Sequence, residues 1–417
     1  MKRFRYICLC AALCVCAAAG LYAQFDKPHR FFELGADVGA GVSNGWFRAS
    51  DIFTETIVID FTEMSQKLRK GLPLDMNVNA AAFMNLNVGP QKGIHIGLSA
   101  GVDGVVSASV PQLLLDLLGS GNALNETVSS DIDVSAELYA HATADVGFSV
   151  DKLKLSIGSS FFVPIVYATS RGSSLSVRSG EDGSFAVEGA LNMDVHTLAP
   201  LNDLANMAWM QDMLSVGGID FSIAAQYPVL SFLDVGASIR HIPAVAGKLN
   251  YRTHVPVSVN LAGSVEEMLD GEMPDFKNAV NMPDLDGIPS ELETFGVRRP
   301  LKIGINAAVR PLFGWRWFTV SGGVDFCFRL NGEEGLDMFF VDYDLALDLK
   351  GSIGSHELAA LRLASSRENE IFCQSVGFMF NFRVLELNVA VASQSADFLR
   401  SFQLAGLGVK TSVKLGF

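Results

Sequence analysis

Residues 131–150 read DIDVSAELYAHATADVGFSV. Ile132, Val134, Ala136, Leu138, Ala140, Ala142, Ala144, Val146, Phe148 and Val150 fall on one side of an extended chain. Asp131, Asp133, Ser135, Glu137, His141, Thr143 and Asp145 fall on the other. Successive side chains of a strand point to opposite faces, so the stretch is a ribbon with one apolar and one polar face. Its length says more than its alternation. Strands of soluble sheets run about five or six residues, whereas a tilted strand crossing a bilayer needs about 9–11.

The pattern recurs. Over residues 33–42, Leu34, Ala36, Val38, Ala40 and Val42 oppose Glu33, Gly35, Asp37, Gly39 and Gly41, whose small size leaves room for something packed against that side. Alternation continues over 76–88, 94–103, 153–167, 185–195, 219–227, 233–241, 248–261, 301–310, 318–330, 341–350, 372–382 and 385–393, and more weakly over 174–178 and 358–366. The final stretch, GLGVKTSVKLGF at 406–417, sets Val409, Thr411, Val413, Leu415 and Phe417 against Lys410, Ser412, Lys414 and Gly416. These segments predict an all-β fold: a transmembrane antiparallel β-barrel of about fourteen strands, an even number being the bacterial habit. The last strand is expected to pair with residues 33–42 and seal the barrel, with Phe417 as an assembly signal read by the barrel-assembly machinery.

Composition fits. Charged residues make up 18% of the chain, and Gly 39 and Phe 29 are high. Mean hydropathy is positive. After residue 24 no run approaches the roughly 18 apolar residues of a spanning helix. Hydrophobicity is thus dispersed by alternation, and lipid admits only helices or closed barrels as spanning structures. Residues 1–23 combine basic Lys2, Arg3 and Arg5 with an apolar run and a small Ala23, which reads as a secretory signal peptide, leaving 24–417 as the barrel. Lipidation is the competing reading, but Leu13 precedes Cys14 and Val15 precedes Cys16, where a small residue is wanted. A formal charge of −14 argues against nucleic acid as a partner.

Four interruptions stand out. In 45–70, Phe53, Ile57, Phe61, Met64 and Leu68 recur at helical spacing behind Trp46 and Phe47, suggesting a plug or hatch inside the barrel or a cap over its end. Residues 110–118, with Leu114 and Leu118, and 200–214, with Trp209 and Met210, read as short apolar helices in loops. Residues 264–298 form an acidic, Pro-punctuated insertion.

No catalytic motif is present: there is no GxSxG, HExxH, phosphate loop or paired CxxC, so no enzyme activity and no cofactor is expected. His95, His141, His196 and His254 are far apart on polar strand faces, and Cys327 and Cys373 form no metal signature. Asp284-Leu285-Asp286-Gly287 lacks the later ligands of a calcium loop. Inward acids such as Asp220, Asp325 and Asp342 face inward bases such as Arg240, Lys302 and Lys414. They fill the lumen with ion pairs or line it for selectivity.

The layout, and above all HELAALRL, FNFRVLELNVAVASQSADF and GVKTSVKLGF near the carboxyl end, resembles the FadL-like family of outer-membrane long-chain fatty-acid transporters, in particular spirochaetal, treponeme-type FadL-like barrels. That resemblance implies fourteen strands, an amino-terminal plug, an apolar groove in the outer loops and lateral release of ligand into the membrane. The family's Asn-Pro-Ala element has no counterpart, since Asn44 is followed by Gly45 and Trp46, so no binding residue transfers by position. The expectation is a passive outer-membrane transporter for long-chain fatty acids or similar hydrophobic molecules. In it Leu114, Leu118, Trp209 and Met210 collect ligand, while Trp46, Phe47, Phe53 and Phe61 line or gate an inner pocket. A general diffusion porin and a surface-exposed structural or adhesin barrel are the alternatives.

Overall fold

The computed structural model describes residues 30–47, 60–68, 71–88, 93–120, 126–170, 172–182, 184–206, 210, 213–264, 280–281, 288–309, 317–331, 338–353 and 356–417. The expected signal peptide, Phe53, Trp209 and most of the acidic insertion lie outside the described residues. No helix among those described is long and apolar enough to cross a membrane.

The wall begins with β1 (Phe32–Ser43), which pairs with β2 (Leu72–Val88), and β2 pairs with β3 (Ile94–Val110). The next strand, β4 (Thr127–Asp131), stands apart, and β3 pairs instead with β5 (Val134–Val150), followed by β6 (Leu153–Ser170). Beyond β7 (Ser174–Ser179) and β8 (Ser184–Thr197), the wall resumes with β9 (Gly218–Leu230) and β10 (Leu233–Val245). It then passes over β11 (Gly247–Ser264), β12 (Val280–Asn281) and β13 (Glu291–Val297) to β14 (Leu301–Val309). From there β15 (Phe318–Phe328), β16 (Phe339–Ile353), β17 (His356–Glu368), β18 (Ile371–Asn381), β19 (Leu385–Ser395) and β20 (Gly406–Gly416) pair in succession. Finally β20 pairs with β1, from Glu33 opposite Gly416 to Ser43 opposite Gly406. The result is a closed antiparallel barrel of 14 strands. The expected pairing of the last strand with the first is what closes it.

Closure matters because lipid offers backbone groups no partner, so an open edge in it would cost several kcal/mol per group. The alternation sets what each side meets. Leu34, Val38, Phe378, Phe380, Val389 and Val413 point out and are exposed. Glu33, Asp75, Asp220, Asp342, Glu386 and Lys414 point in and are buried. Several inward charges are paired, Lys302 with Asp342 at 3.1 Å, Arg240 with Asp325, and Lys414 with Glu386 at 3.4 Å, while Asp75 accepts hydrogen bonds from Ser43 and Ser107. The room left by small residues of β1 is taken by side chains of neighbouring strands. A methyl group built on Gly35 would lie 2.4 Å from Phe83 Cζ, so only glycine admits that ring.

Both termini and short turns such as those after β5, β9 and β18 mark one end; the long connections lie at the other, which in outer-membrane barrels is the exterior. At this loop end a second sheet extends the wall: β4 pairs with β7, β7 with β8, β8 with β11, and β11 with β12 and β13. Two expectations change in detail. The stretch 131–150 is not one strand: Ile132 and Asp133 separate β4 from β5, although the in–out phase continues across the break. And 264–298 is not wholly a polar insertion, since it contains β13.

The loop-end helices form where apolar spacing called for them. α1 (Phe61–Lys67) is capped by Asp60, whose side chain accepts a hydrogen bond from Glu63 N. α2 (Gln112–Ser120) packs against it, with Thr62 Oγ1 donating to Gly119 O at 2.7 Å. A 3-10 turn (Leu201–Asn206) and α3 (Met213–Val216) lie between β8 and β9.

Candidate functional site

At one place the wall is not continuous. The lower part of β6, Lys154 to Phe162, pairs with β9, whereas its upper part, Val166 to Ser170, pairs with β8. The chain descends along β8, leaves the wall after Thr197 and returns at Gly218. A single strand position between β6 and β10 is therefore shared by two strands. Between their ladders stand Val163, Pro164 and Ile165. Leu198 N reaches Ile165 O at 3.3 Å, and Pro164 has no N–H to give. On the other side of β6 the register with β5 shifts between Leu138 and Tyr139. Across the gap, β10 ends at Val245 and β11 starts at Gly247.

An apolar cluster fills this break. By register, Tyr139, Phe162 and Tyr167 come from the lumen side, and Val163 from the outer side. The cluster also takes Leu198 and Val216 from the 198–217 excursion, Leu249 from β11 and Val297 from β13, with Phe161, Met213 and Phe295 packed against it. Phe162 and Val163 are each 1% exposed. Tyr139 meets Phe162 edge-on at 6.4 Å, and Phe295 stacks on Tyr167 at 5.4 Å and on His196 at 4.2 Å.

A buried ion pair spans the same region. Arg299, in the link between β13 and β14, donates from Nε to Asp220 Oδ2 and from Nη2 to Asp220 Oδ1, each at 2.9 Å. Its guanidinium sits 5.1 Å from the centre of the Phe162 ring. Asp220 lies near the start of β9, so the pair ties that strand to the far side of the break. Bidentate geometry of this kind fixes position as well as charge.

The break also differs from the rest of the barrel in its chemistry. The other described apolar clusters take their wall residues from out-facing positions: Leu72 and Val110; Leu175, Val177 and Val187; Ala168, Val195, Val255 and Val257. At the break, apolar side chains of the lumen face and of the outer face touch. Apolar contact there runs through the wall.

The residues singled out from sequence are divided among several places. Trp46, Phe47 and Phe61 do come together, in a cluster with Met64, Leu72 and Leu115 at the loop end, and Arg400 lies 3.4 Å over the Trp46 ring. Leu114 belongs to another cluster, with Leu175, Val177 and Val187. Met210 is 46% exposed on the excursion. Leu118 is in α2, with its side chain outside the described residues, as are Phe53 and Trp209. Phe417 stands at the terminal end, its N and O both bonded to Phe32 at 3.1 Å and its ring 5.7 Å from that of Phe32. Sequence reasoning did not single out Phe162, Tyr167, Asp220 and Arg299 as a group. One signal was available: Phe161-Phe162-Val163-Pro164 interrupts the alternation of an otherwise regular strand and ends in a residue that central strands avoid. Among the described residues no group of three or more His, Cys, Asp or Glu could hold a metal ion.

No protein-family model matches the chain, and no curated protein does. Several solved barrels are similar to it in structure. The toluene transporter TbuX of Ralstonia pickettii is 9% identical with a TM-score of 0.46, over 96% of this chain and 95% of that one. The toluene transporter TodX of P. putida is 10% identical with a TM-score of 0.43, over 94% and 91%. A FadL homologue of Pseudomonas aeruginosa is 12% identical with a TM-score of 0.43, again over 94% and 91%. The closed fourteen-stranded barrel that the resemblance implied is the fold the chain's own strand pairing forms.

Proposed function

We propose that this barrel is a passive conduit for hydrophobic small molecules of the long-chain fatty-acid kind, taken up at the loop end and released through the wall break into the surrounding lipid. The observation that carries this reading is the apolar cluster of Tyr139, Phe162, Val163, Leu198 and Val216, which joins lumen side to lipid side. A lumen lined by ion pairs offers an apolar molecule little gain, because that gain comes from exchanging water for apolar contact, at about 0.8 kcal/mol per buried methylene. The break supplies such contact within the wall. Nothing in this reading requires an energy source, so transport follows the gradient.

Liposomes with and without the protein, given a labelled long-chain fatty acid, test it. Faster uptake with the protein is expected, and equal uptake contradicts it. The paired charges of the lumen favour a second reading, a water-filled porin. Large steady single-channel currents would support the porin, and silence the conduit. For Phe417, exposed beside the closing seam, we keep the part of an assembly signal.

A further inference from the structure

The connection between β19 and β20, ADFLRSFQLA at residues 396–405, is built unlike a solvated loop. Asp397 starts a turn by accepting a hydrogen bond from Arg400 N, and residues Arg400–Phe402 form a 3-10 helix. Asp397 and Gln403 are exposed, but Ser401 and Arg400 turn toward the protein. Ser401 is fully buried; its hydroxyl donates to Phe398 O at 2.6 Å and accepts from Gln374 Nε2 at 3.0 Å. Arg400 donates from Nη1 to Trp46 O at 2.7 Å. Its apolar groups turn away: Phe398, Leu399, Phe402 and Leu404 are 42, 69, 59 and 51% exposed. Four such side chains on one short loop form a patch of the kind that marks an interaction surface.

Its neighbours say what covers it. Phe398 meets Phe402 edge-on at 5.3 Å and Phe372 edge-on at 5.6 Å, and Phe372 in turn meets Tyr343 at 6.2 Å. By register Phe372 shares the outer face of β18 with Val376 and Phe378. Directly below the loop are Leu407 of β20 and Val42 of β1, opposite one another and both more than half exposed. The patch therefore adjoins the lipid-facing band at Leu407 and Val42, while Gln374, which lies between Phe372 and Val376 on the same face, is covered by Ser401 of the loop. Its height agrees. At about 3.3 Å per residue and a tilt near 40°, β20 climbs roughly 20 Å from Leu415 to Leu407, within an apolar band about 25 Å tall. The loop begins where that band meets the headgroups.

We propose that residues 398–404 are a membrane anchor, with Phe398, Leu399, Phe402 and Leu404 inserted among the acyl chains of the loop-side leaflet close to the headgroup boundary. The partner is lipid, and the anchor does not depend on what the barrel transports. Through Arg400 it also holds Trp46, and with it the cluster of α1 and α2, against the membrane surface.

A Leu399→Trp variant reconstituted into phosphatidylcholine vesicles tests this, because the emission it adds over the parent protein reports one position. Quenching of that added emission by lipids brominated near the headgroup, several-fold stronger than by aqueous iodide, is expected. A second variant, Leu399→Trp with Phe398→Ser and Phe402→Ser, should lose the bromine quenching while keeping the heat-dependent gel mobility of a folded barrel. Quenching by iodide alone would overturn the proposal in favour of a solvated loop. Absence of bromine quenching together with cross-linking of Leu399→Cys chains would overturn it in favour of contact between two copies.

Discussion

Two arcs of the barrel wall are built by different rules. From β14 through β20 to β1, β2, β3 and β5, each strand pairs with its neighbours in one register, apart from a shift between Gly351 and Ser352. From β5 to β10 the ladders shift at Leu138/Tyr139, Leu233/Asp234, Ile239/Ile242 and Pro243/Val245, and two strands share one position. A strict period of two keeps charges inside and apolar groups outside, which seals the wall. The shift at Leu138/Tyr139 changes the phase of β6, so that Tyr167 faces inward like Tyr139 and Phe162, and beside it these lumen-side aromatic residues meet apolar residues from outside. The regular arc is a barrier, and in the proposed function the irregular arc is where apolar molecules cross.

The largest effect is expected at the seam of the regular arc. Deleting Phe417 removes the terminal pair with Phe32, and the yield of folded barrel in membranes should fall several-fold, while uptake per folded barrel stays unchanged. Normal insertion of the truncated chain would remove the part given to that residue. Next comes the irregular arc. Asp220→Ala leaves Arg299 buried and unpaired, which should cost roughly 3–5 kcal/mol in urea unfolding from lipid vesicles. Arg362→Ala, which removes a half-exposed partner of Asp348 on the regular arc, should cost about 0–1 kcal/mol in the same assay. Equal losses would erase the distinction.

A smaller contrast uses lipid exposure. Val389→Lys, in the middle of β19 on the outer face, should cost about 2–4 kcal/mol, as expected for a cation near the bilayer midplane. Leu214→Lys on the excursion, where the residue is 84% exposed near the rim, should cost about 0–1 kcal/mol. An intermediate effect is expected at the loop end, where Arg400→Met removes the cation over Trp46, worth about 0.5–2 kcal/mol. Unfolding midpoints of these three variants, measured together, should be lowest for Val389→Lys and highest for Leu214→Lys, with Arg400→Met between them.

The regular arc was legible from sequence because its rule is local: alternation gave its strands within a few residues and matched the first strand to the last. The irregular arc was not, because its rule lies in pairing. Nothing in the sequence of β6 alone says that its two halves have different partners. The segment 131–150 hid its interruption because Ile132 and Asp133 keep the alternating phase. In β13 the pairing with β11 shifts between Leu249 and Tyr251, so Leu292, Phe295 and Val297 lack the period that reveals a strand. Arg299 was overlooked because it sits in a three-residue link, where a cation ordinarily means solvent. The apolar loop residues were recognised by type, but their division among separate clusters depends on which outer-face rims they cover.

The claim that apolar molecules pass through the break can be tested by closing it. Phe161 faces Ile219 and Val166 faces Thr197, one pair in each ladder flanking the gap. Facing residues of antiparallel strands lie about 4.5–5.5 Å apart, within disulfide reach. With Cys327 and Cys373 replaced by Ala, the variant F161C/I219C/V166C/T197C can be stapled on both sides of the break by oxidation. Uptake of labelled fatty acid into liposomes should fall at least about tenfold on oxidation and return on reduction, a change of roughly 1.4 kcal/mol in the barrier. Uptake that is the same in the oxidised and reduced states would contradict passage through the wall.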